Sequence, residues 1–295
     1  MLHNTVSIQL NKEQVSSVKD ILVDSGWELL PSKNEYIVLF MKNSKGSACS
    51  LYSSGKIVFQ GAEDFSSIVE MIRGDVNKDV TPHIGVDEVG KGDYFGPLVV
   101  VACFVNDEFA SKITSLGVMD SKKLSDSKIR DIYSKLKDYP YYYVSVVKPE
   151  EYNKLISETG NVAILLAKQH SKVIEMALED LQSKGVECDH VVIDQFSNRA
   201  DRVSRELGVL GKKAKFYQFH KGESDIAVAC ASVLARGVFL DEMEKMENEY
   251  YFKFPKGATH VVDTAKDFLS KHGKVELGKV AKVTFKTTRE VLSNS

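Results

Sequence analysis

The sequence predicts a two-part α/β protein, a small α+β unit followed by a larger layered unit whose sheet is covered by helices. Three observations carry this expectation. Short apolar runs rich in β-branched residues recur along the chain. Long segments of helical spacing alternate with them mainly in the second part. A polar stretch holding Gly and Pro, GDVNKDVTP, separates the two patterns. A length of 295 residues suits one or two domains, and 43% hydrophobic with 27% charged residues excludes general disorder.

The first part opens with TVSIQL, which alternates as a strand does. NKEQVSSVKDILVDSG then sets Val15, Val18, Ile21 and Leu22 at helical spacing, and Gly26 stops that helix. YIVLF, SACSLY and KIVFQ are short strands separated by KNSKG and SSG turns, and a helix from Glu63 to Arg73 closes a β-α-β-β-β-α unit. The expected boundaries are residues 1–73 for this unit, 74–82 for a linker and 83–295 for the second part.

In the second part, IGVDEV, GPLVVVACFV and YYYVSVV read as strands. NVAILLAKQHSKVIEMALEDLQSKG reads as a long helix that turns Ala163, Leu166, Ala167, Val173, Ile174, Ala177, Leu178 and Leu181 to the core and ends at Gly185. HVVID and AKFYQF add two strands. SDIAVACASVLARGVFLDEMEKM is a second long helix, and its small residues suit close packing on a sheet.

Several classes of function are set aside by composition. No apolar run reaches the ~18 residues of a membrane span. The start, MLHNTVSIQLNKEQ, lacks the basic flank and apolar stretch of a secretory signal. Cys49, Cys103, Cys188 and Cys230 show no CxxC spacing, so the sequence indicates neither zinc nor a disulfide framework; reduced thiols and a cytoplasmic location are expected. A net charge of −2 excludes a uniformly basic nucleic-acid binder but not a local basic face. Between Arg199 and Lys221 seven basic residues meet two acidic ones, which makes the stretch either such a face or a solvated helix surface.

Four carboxylates fall where charge is expensive. Asp87 and Glu88 lie within the apolar strand IGVDEV, where a charge costs several kcal/mol unless it is paired or binds a cation. Neighbours on a strand point to opposite faces, so Glu88 either faces solvent or is brought beside Asp87 by a bend at Gly85 and Gly90. Asp194 ends VVID, at the strand end where ligands of α/β sheets sit, although an Asp there also suits a turn. Asp225 opens the small-residue helix. A first-turn Asp is by default a capping or dipole-matching residue; with Glu223 and Ser224 as the expected caps, Asp225 is instead left to face inward beside Ile226 and Ala229. Together these oxygen ligands suit hard divalent ions such as Mg²⁺, two of which, about 3.5–4 Å apart, would let an acidic site accept a phosphodiester. GxSxG, HExxH and GxxxxGK[ST] motifs are absent from the sequence.

DEVGKGDYFGPLVV (87–100) resembles the opening motif of the type 2 ribonuclease H family. MDSKKLSDSKI, HVVIDQF and KGESDIAVACASVLAR resemble that family's later motifs in order. The DYFGP ending, FPKGATHVVD and the extra N-terminal region resemble its ribonuclease HIII branch. The resemblance implies an RNase H-like mixed sheet flanked by helices, preceded by a small α+β TATA-binding-protein-like domain. It implies that Asp87, Glu88, Asp194 and Asp225 are catalytic and bind two Mg²⁺ or Mn²⁺ ions. It implies hydrolysis of the RNA strand of RNA–DNA hybrids, giving 5′-phosphate and 3′-hydroxyl ends. No membrane or obligate protein partner is expected, and a monomer is.

Gly90, Lys91 and Gly92 match the loop whose backbone approaches substrate. Type HII enzymes usually carry arginine where this chain has Lys91, which lacks the planar fork, so the resemblance favours cleavage within longer RNA stretches. Ser121, Lys122 and Lys123 either contact phosphate or form an exposed pair of lysines before a helix. His260 either reaches a phosphate or is a surface residue, and Trp27, Tyr36 and Phe40 either stack on bases or belong to the core. The rival readings are another RNase H-like nuclease or DNA-strand transferase, and a nucleic-acid-binding protein without catalysis.

Overall fold

The computed structural model describes residues 4–10, 12–73, 80–118, 121–194, 201–219, 222 and 225–293. The chain divides into two units, residues 1–79 and 80–295. In the first, β1 (Asn4–Gln9), α1 (Lys12–Asp24), β2 (Trp27–Leu30), β3 (Ile37–Asn43), β4 (Ala48–Tyr52), β5 (Lys56–Gly61) and α2 (Ser66–Arg73) follow one another. The strands form an antiparallel sheet of order β1-β5-β4-β3-β2, so the first strand pairs with the last.

Alternation decides which face is covered. Ile57 and Phe59 are buried while Lys56 and Gln60 are exposed, and Val18 and Leu22 of α1 close the same core. Burying each such side chain contributes about 1.5–3 kcal/mol. The sequence pattern omitted β2. Only Trp27 of its four residues is buried, so the strand has no apolar alternation to reveal it, and pairing with β3 creates it.

The second unit runs β6 (His83–Val89), β7 (Leu98–Val105), α3 (Asp107–Ser115), α4 (Asp126–Leu136), β8 (Tyr142–Val147), α5 (Pro149–Thr159) and α6 (Val162–Ser183). It continues with β9 (His190–Asp194), α7 (Asp201–Glu206), β10 (Lys215–Phe219), α8 (Ile226–Tyr250), α9 (Val262–Val280) and α10 (Lys286–Leu292). Its sheet has the order β10-β9-β6-β7-β8. β6 is antiparallel to β7 and parallel to β9, β10 is parallel to β9, and β8 is antiparallel to β7.

Both faces of this sheet are covered, which is why its strands read as continuous apolar runs. All eight residues of β7 are buried. Val99, Val101 and Cys103 pack with the small residues of α8, whereas Val86, Val100 and Ala102 pack with Val173, Ile174 and Ala177 of α6. Gly85 belongs to this packing. A Cβ there would lie 2.1 Å from the Ala227 carbonyl carbon, so the glycine serves the approach of α8 rather than a bend. The ladder to β7 continues through Asp87, Glu88 and Val89, and β6 carries its acids straight to its carboxyl end.

Candidate active site

Asp87 and Glu88 obey strand alternation. Asp87 faces the α8 side, where it hydrogen-bonds to Ser232, and its Oδ1 also accepts the Glu88 amide at 2.8 Å. Glu88 faces the α6 side, where its Oε2 meets His170 Nε2 at 3.1 Å. They share one cavity of about 600 Å³ because it opens at the end of β6. Asp194 joins them through register: Val86 pairs with Ile193 in the parallel ladder, which sets the next residues, Asp87 and Asp194, on adjoining strands. Asp194 lines the same cavity and accepts the Gly222 amide at 2.9 Å.

The acids differ sharply in electrostatics. Burial, then the Glu88 charge, pushes the Asp87 carboxyl up to about 8, with Asp194 adding in the same direction. Burial also opposes ionisation of Glu88, but the His170 hydrogen bond and charge, with Lys91 and Lys122, hold it below its ordinary value.

Asp225 stands apart and corrects the expected capping. It is itself the N-cap of α8: its Oδ1 accepts the amides of Ala227 and Val228 at 2.9 and 3.0 Å, and both its oxygens lie within 3.1 Å of His83 Nε2. Burial works against its charge, but His83 and those two amides keep its pKa below the usual value. Asp225 does not line the cavity. Its partner His83 precedes Asp87 by four residues on one strand, roughly 13 Å at the usual rise. Glu223 and Ser224, the expected caps, lie outside the described residues.

Gly90, Lys91 and Gly92 line the cavity, and Lys91 Nζ stands 3.8 Å from Glu88 Oε1. Gly90 is needed by the fold itself. Its φ is 94°, and a Cβ would meet the Pro97 carbonyl oxygen at 2.1 Å, whereas a Cβ at Gly92 would have no atom of the described residues within 4 Å. Ser121 and Lys122 line the cavity as well. Ser121 is buried and its Oγ lies 2.7 Å from Ser232 Oγ, so it supports the side chain that touches Asp87, while Lys122 is exposed. The side chain of Lys123 lies outside the described residues. His260 is exposed, with a left-handed φ of 58°. Trp27 is buried against Phe59 in the first unit's core, Phe40 is half-buried and Tyr36 is exposed.

Sequence reasoning missed His170, Ser232 and Arg236. Ser232 and Arg236 lie four apart on α8 and both line the cavity, so the helical period beside the acidic strand was the available signal. His170 gave none, since it sits within an apolar helix face.

The donor set suits a hard cation. Three carboxylates stand together, one of them so buried that it holds a proton near neutral pH, and a divalent ion would relieve their mutual repulsion. Among the described residues no three His, Cys, Asp or Glu side chains close into a metal cage. An open site of one or two carboxylates completed by water and substrate oxygens is how Mg²⁺ is commonly held.

A five-stranded mixed sheet of this order, with acids at the adjoining ends of two central strands, is the RNase H-like architecture, here preceded by a small α+β TATA-binding-protein-like unit. The profile of the family described as Ribonuclease HII matches residues 84–288. A ribonuclease HIII of Protochlamydia amoebophila is 37% identical over 267 residues, covering 86% of each chain. One from Streptococcus pneumoniae is 36% identical over 273 residues, covering 89% of this chain and 91% of that one. The crystal structure of Bst-RNase HIII in complex with Mn²⁺ matches with a TM-score of 0.71 at 26% identity, covering 99% of each chain. Aquifex aeolicus RNase H3 matches with a TM-score of 0.55 at 26% identity, covering 95% of this chain and all of that one. The chain belongs to the type 2 ribonuclease H family, in its ribonuclease HIII branch, and is a ribonuclease H enzyme.

Proposed function

We propose that this enzyme hydrolyses the RNA strand of RNA–DNA hybrids endonucleolytically, leaving 5′-phosphate and 3′-hydroxyl ends, with Asp87, Glu88 and Asp194 holding Mg²⁺ or Mn²⁺. The observation that carries the reading is the meeting of these three acids in one cavity at the ends of β6 and β9. Divalent ions bound there would supply positive charge to the scissile phosphate and activate the attacking water. The protein's own part is to hold the oxygens in place. Ser232 and the Glu88 amide orient Asp87, His170 orients Glu88, and the Gly222 amide orients Asp194.

Asp225 has no place in this set. Glu223 follows Gly222 directly in the sequence, and Gly222 donates to Asp194. Glu223 is therefore the better candidate for a fourth acid.

Lys91, Lys122 and Arg236 line the cavity and supply charge for phosphates, while Gly92 leaves room for a sugar edge carrying the 2′-hydroxyl. Residues 83–295 are the catalytic domain in this reading and 74–82 a linker. Residues 1–73 bind substrate through the sheet face that carries Phe40, Ser50 and Lys42, opposite the face of Leu39, Met41 and Leu51 that closes the core. Deleting residues 1–78 should raise the Kd for hybrid about tenfold, and an unchanged Kd measured by anisotropy would remove that role. The four cysteines are thiols, and no helix among the described residues is long and apolar enough to cross a membrane. We place the enzyme in the cytoplasm, acting as a monomer.

The decisive assay offers a labelled RNA–DNA hybrid, a DNA duplex and a strand holding one ribonucleotide, each with Mg²⁺, Mn²⁺ or chelator. Cleavage of the hybrid's RNA strand, dependent on a divalent ion and weaker at the single ribonucleotide, is the expected result. Cleavage of the DNA duplex, or of the hybrid in chelator, would contradict the reading.

A further inference from the structure

Lys282 has no exposed surface, and among the described residues no acidic side chain forms an ion pair with it. Its Nζ donates instead to three backbone carbonyls, of Asp93 at 2.9 Å, Gly96 at 2.5 Å and Pro97 at 3.2 Å. An ammonium has three N–H groups, and each has one acceptor here. Those carbonyls all belong to the segment that continues the Gly90-Lys91-Gly92 loop into β7.

The backbone around Lys282 holds the same segment. Its amide donates to the Tyr94 carbonyl at 2.8 Å, and Gly96 donates to Val280 at 3.0 Å, so residues 280–282 lie antiparallel to 94–96. Asn153 of α5 fixes the outer edge, donating to the Ala281 carbonyl at 2.9 Å and accepting from Val283 at 2.9 Å. The Pro97 carbonyl that Lys282 grips is also the oxygen that a Cβ at Gly90 would strike. The clamp therefore ends against the residue that starts the loop.

A buried cation is costly, and a methionine would fill the space more cheaply while leaving three carbonyls without donors. Burial does pull the Lys282 ammonium down to about 7, partly offset by the Asp93 charge.

We propose that Lys282 is a positioning residue for the reaction: its side chain clamps residues 93–97 so that Gly90, Lys91 and Gly92 are presented to the hybrid in one geometry. The proposal rests on reading residues 90–92 as a substrate loop. It assigns a role to a residue near the end of the chain, 191 positions after Lys91.

The test is a double-mutant cycle on hybrid cleavage with Lys282→Met, Lys91→Ala and both together, accompanied by amide exchange at Tyr94 and Gly96. Each single variant should lower kcat/KM about tenfold, mainly through KM, and the pair should be little worse than either. Exchange at Tyr94 and Gly96 should quicken in Lys282→Met. Additive losses, or unchanged kinetics and exchange in Lys282→Met beside a raised KM in Lys91→Ala, would overturn the clamp. Faster exchange in Lys282→Met with an unchanged KM in both single variants would instead overturn the substrate-loop reading and leave the clamp standing. Lys282→Gln, which keeps a neutral donor, guards against misfolding. If circular dichroism shows both Lys282 variants unfolded, the residue holds the whole unit and the proposal fails.

Discussion

Asp87 and Asp225 are both acids set between β6 and α8, and their surroundings are opposite. Asp225 receives two helix amides and a histidine, which together overcome its burial and keep it ionised. Asp87 receives one amide and one serine hydroxyl while facing the charges of Glu88 and Asp194, and it is pushed up to about 8. A buried carboxylate with a full set of donors has finished its work in the fold. One surrounded by its own sign is stable only with a proton or a cation, which is why the proposed reaction is set at that end of the strand.

The contrast breaks most visibly under substitution. Asp87→Asn or Asp194→Asn should abolish hybrid cleavage, by at least about a thousandfold, while hybrid binding persists. Asp225→Ala should cleave within about threefold of the parent per folded molecule, yet lose about 1–3 kcal/mol of stability through the missing cap and the stranded His83. Rates from gel assays and midpoints from urea melts check both. A dead Asp225→Ala that remains as stable as the parent would erase the distinction.

His170 sharpens the comparison at the third acid. His170→Ala should lower activity about 10–100-fold by leaving Glu88 unoriented, and part of the loss should return at high Mn²⁺. An unchanged metal requirement would show that the pair serves packing alone.

How far the sequence announced this site follows from the same contrast. Asp87 and Glu88 were legible because charge inside IGVDEV conflicts with a buried strand, and Asp194 because it closes an apolar run. Asp225 was ambiguous because Glu223, Ser224 and Asp225 are all plausible caps in sequence, and it is backbone geometry that shows Asp225 taking the helix amides. β2 was missed because pairing with β3, rather than its own pattern, makes it a strand. Lys282 was invisible since a lysine reads as surface until three carbonyls are found around it.

Smaller effects appear with pH. The Asp87 pKa is raised on folding from 3.8 to about 8, so its stabilisation is complete below the unfolded value and is lost as pH rises through 8. Asp225 is lowered, so its contribution is present above 3.8 and lost as pH falls through the depressed value. In chelator, Tm should therefore decline between pH 5 and roughly 8 in the parent and less so in Asp87→Asn. Asp225→Ala should flatten only the acid limb. Mn²⁺ should raise Tm more at pH 8 than at pH 6, because binding must displace a proton.

The most direct measurement is Mn²⁺ binding to the folded chain, followed by loss of the free-ion EPR signal, in the parent, Asp87→Asn and Asp225→Ala. The account predicts that Asp225→Ala titrates like the parent while Asp87→Asn loses at least tenfold in affinity. Parent-like binding in Asp87→Asn, with loss of binding in Asp225→Ala, would contradict it.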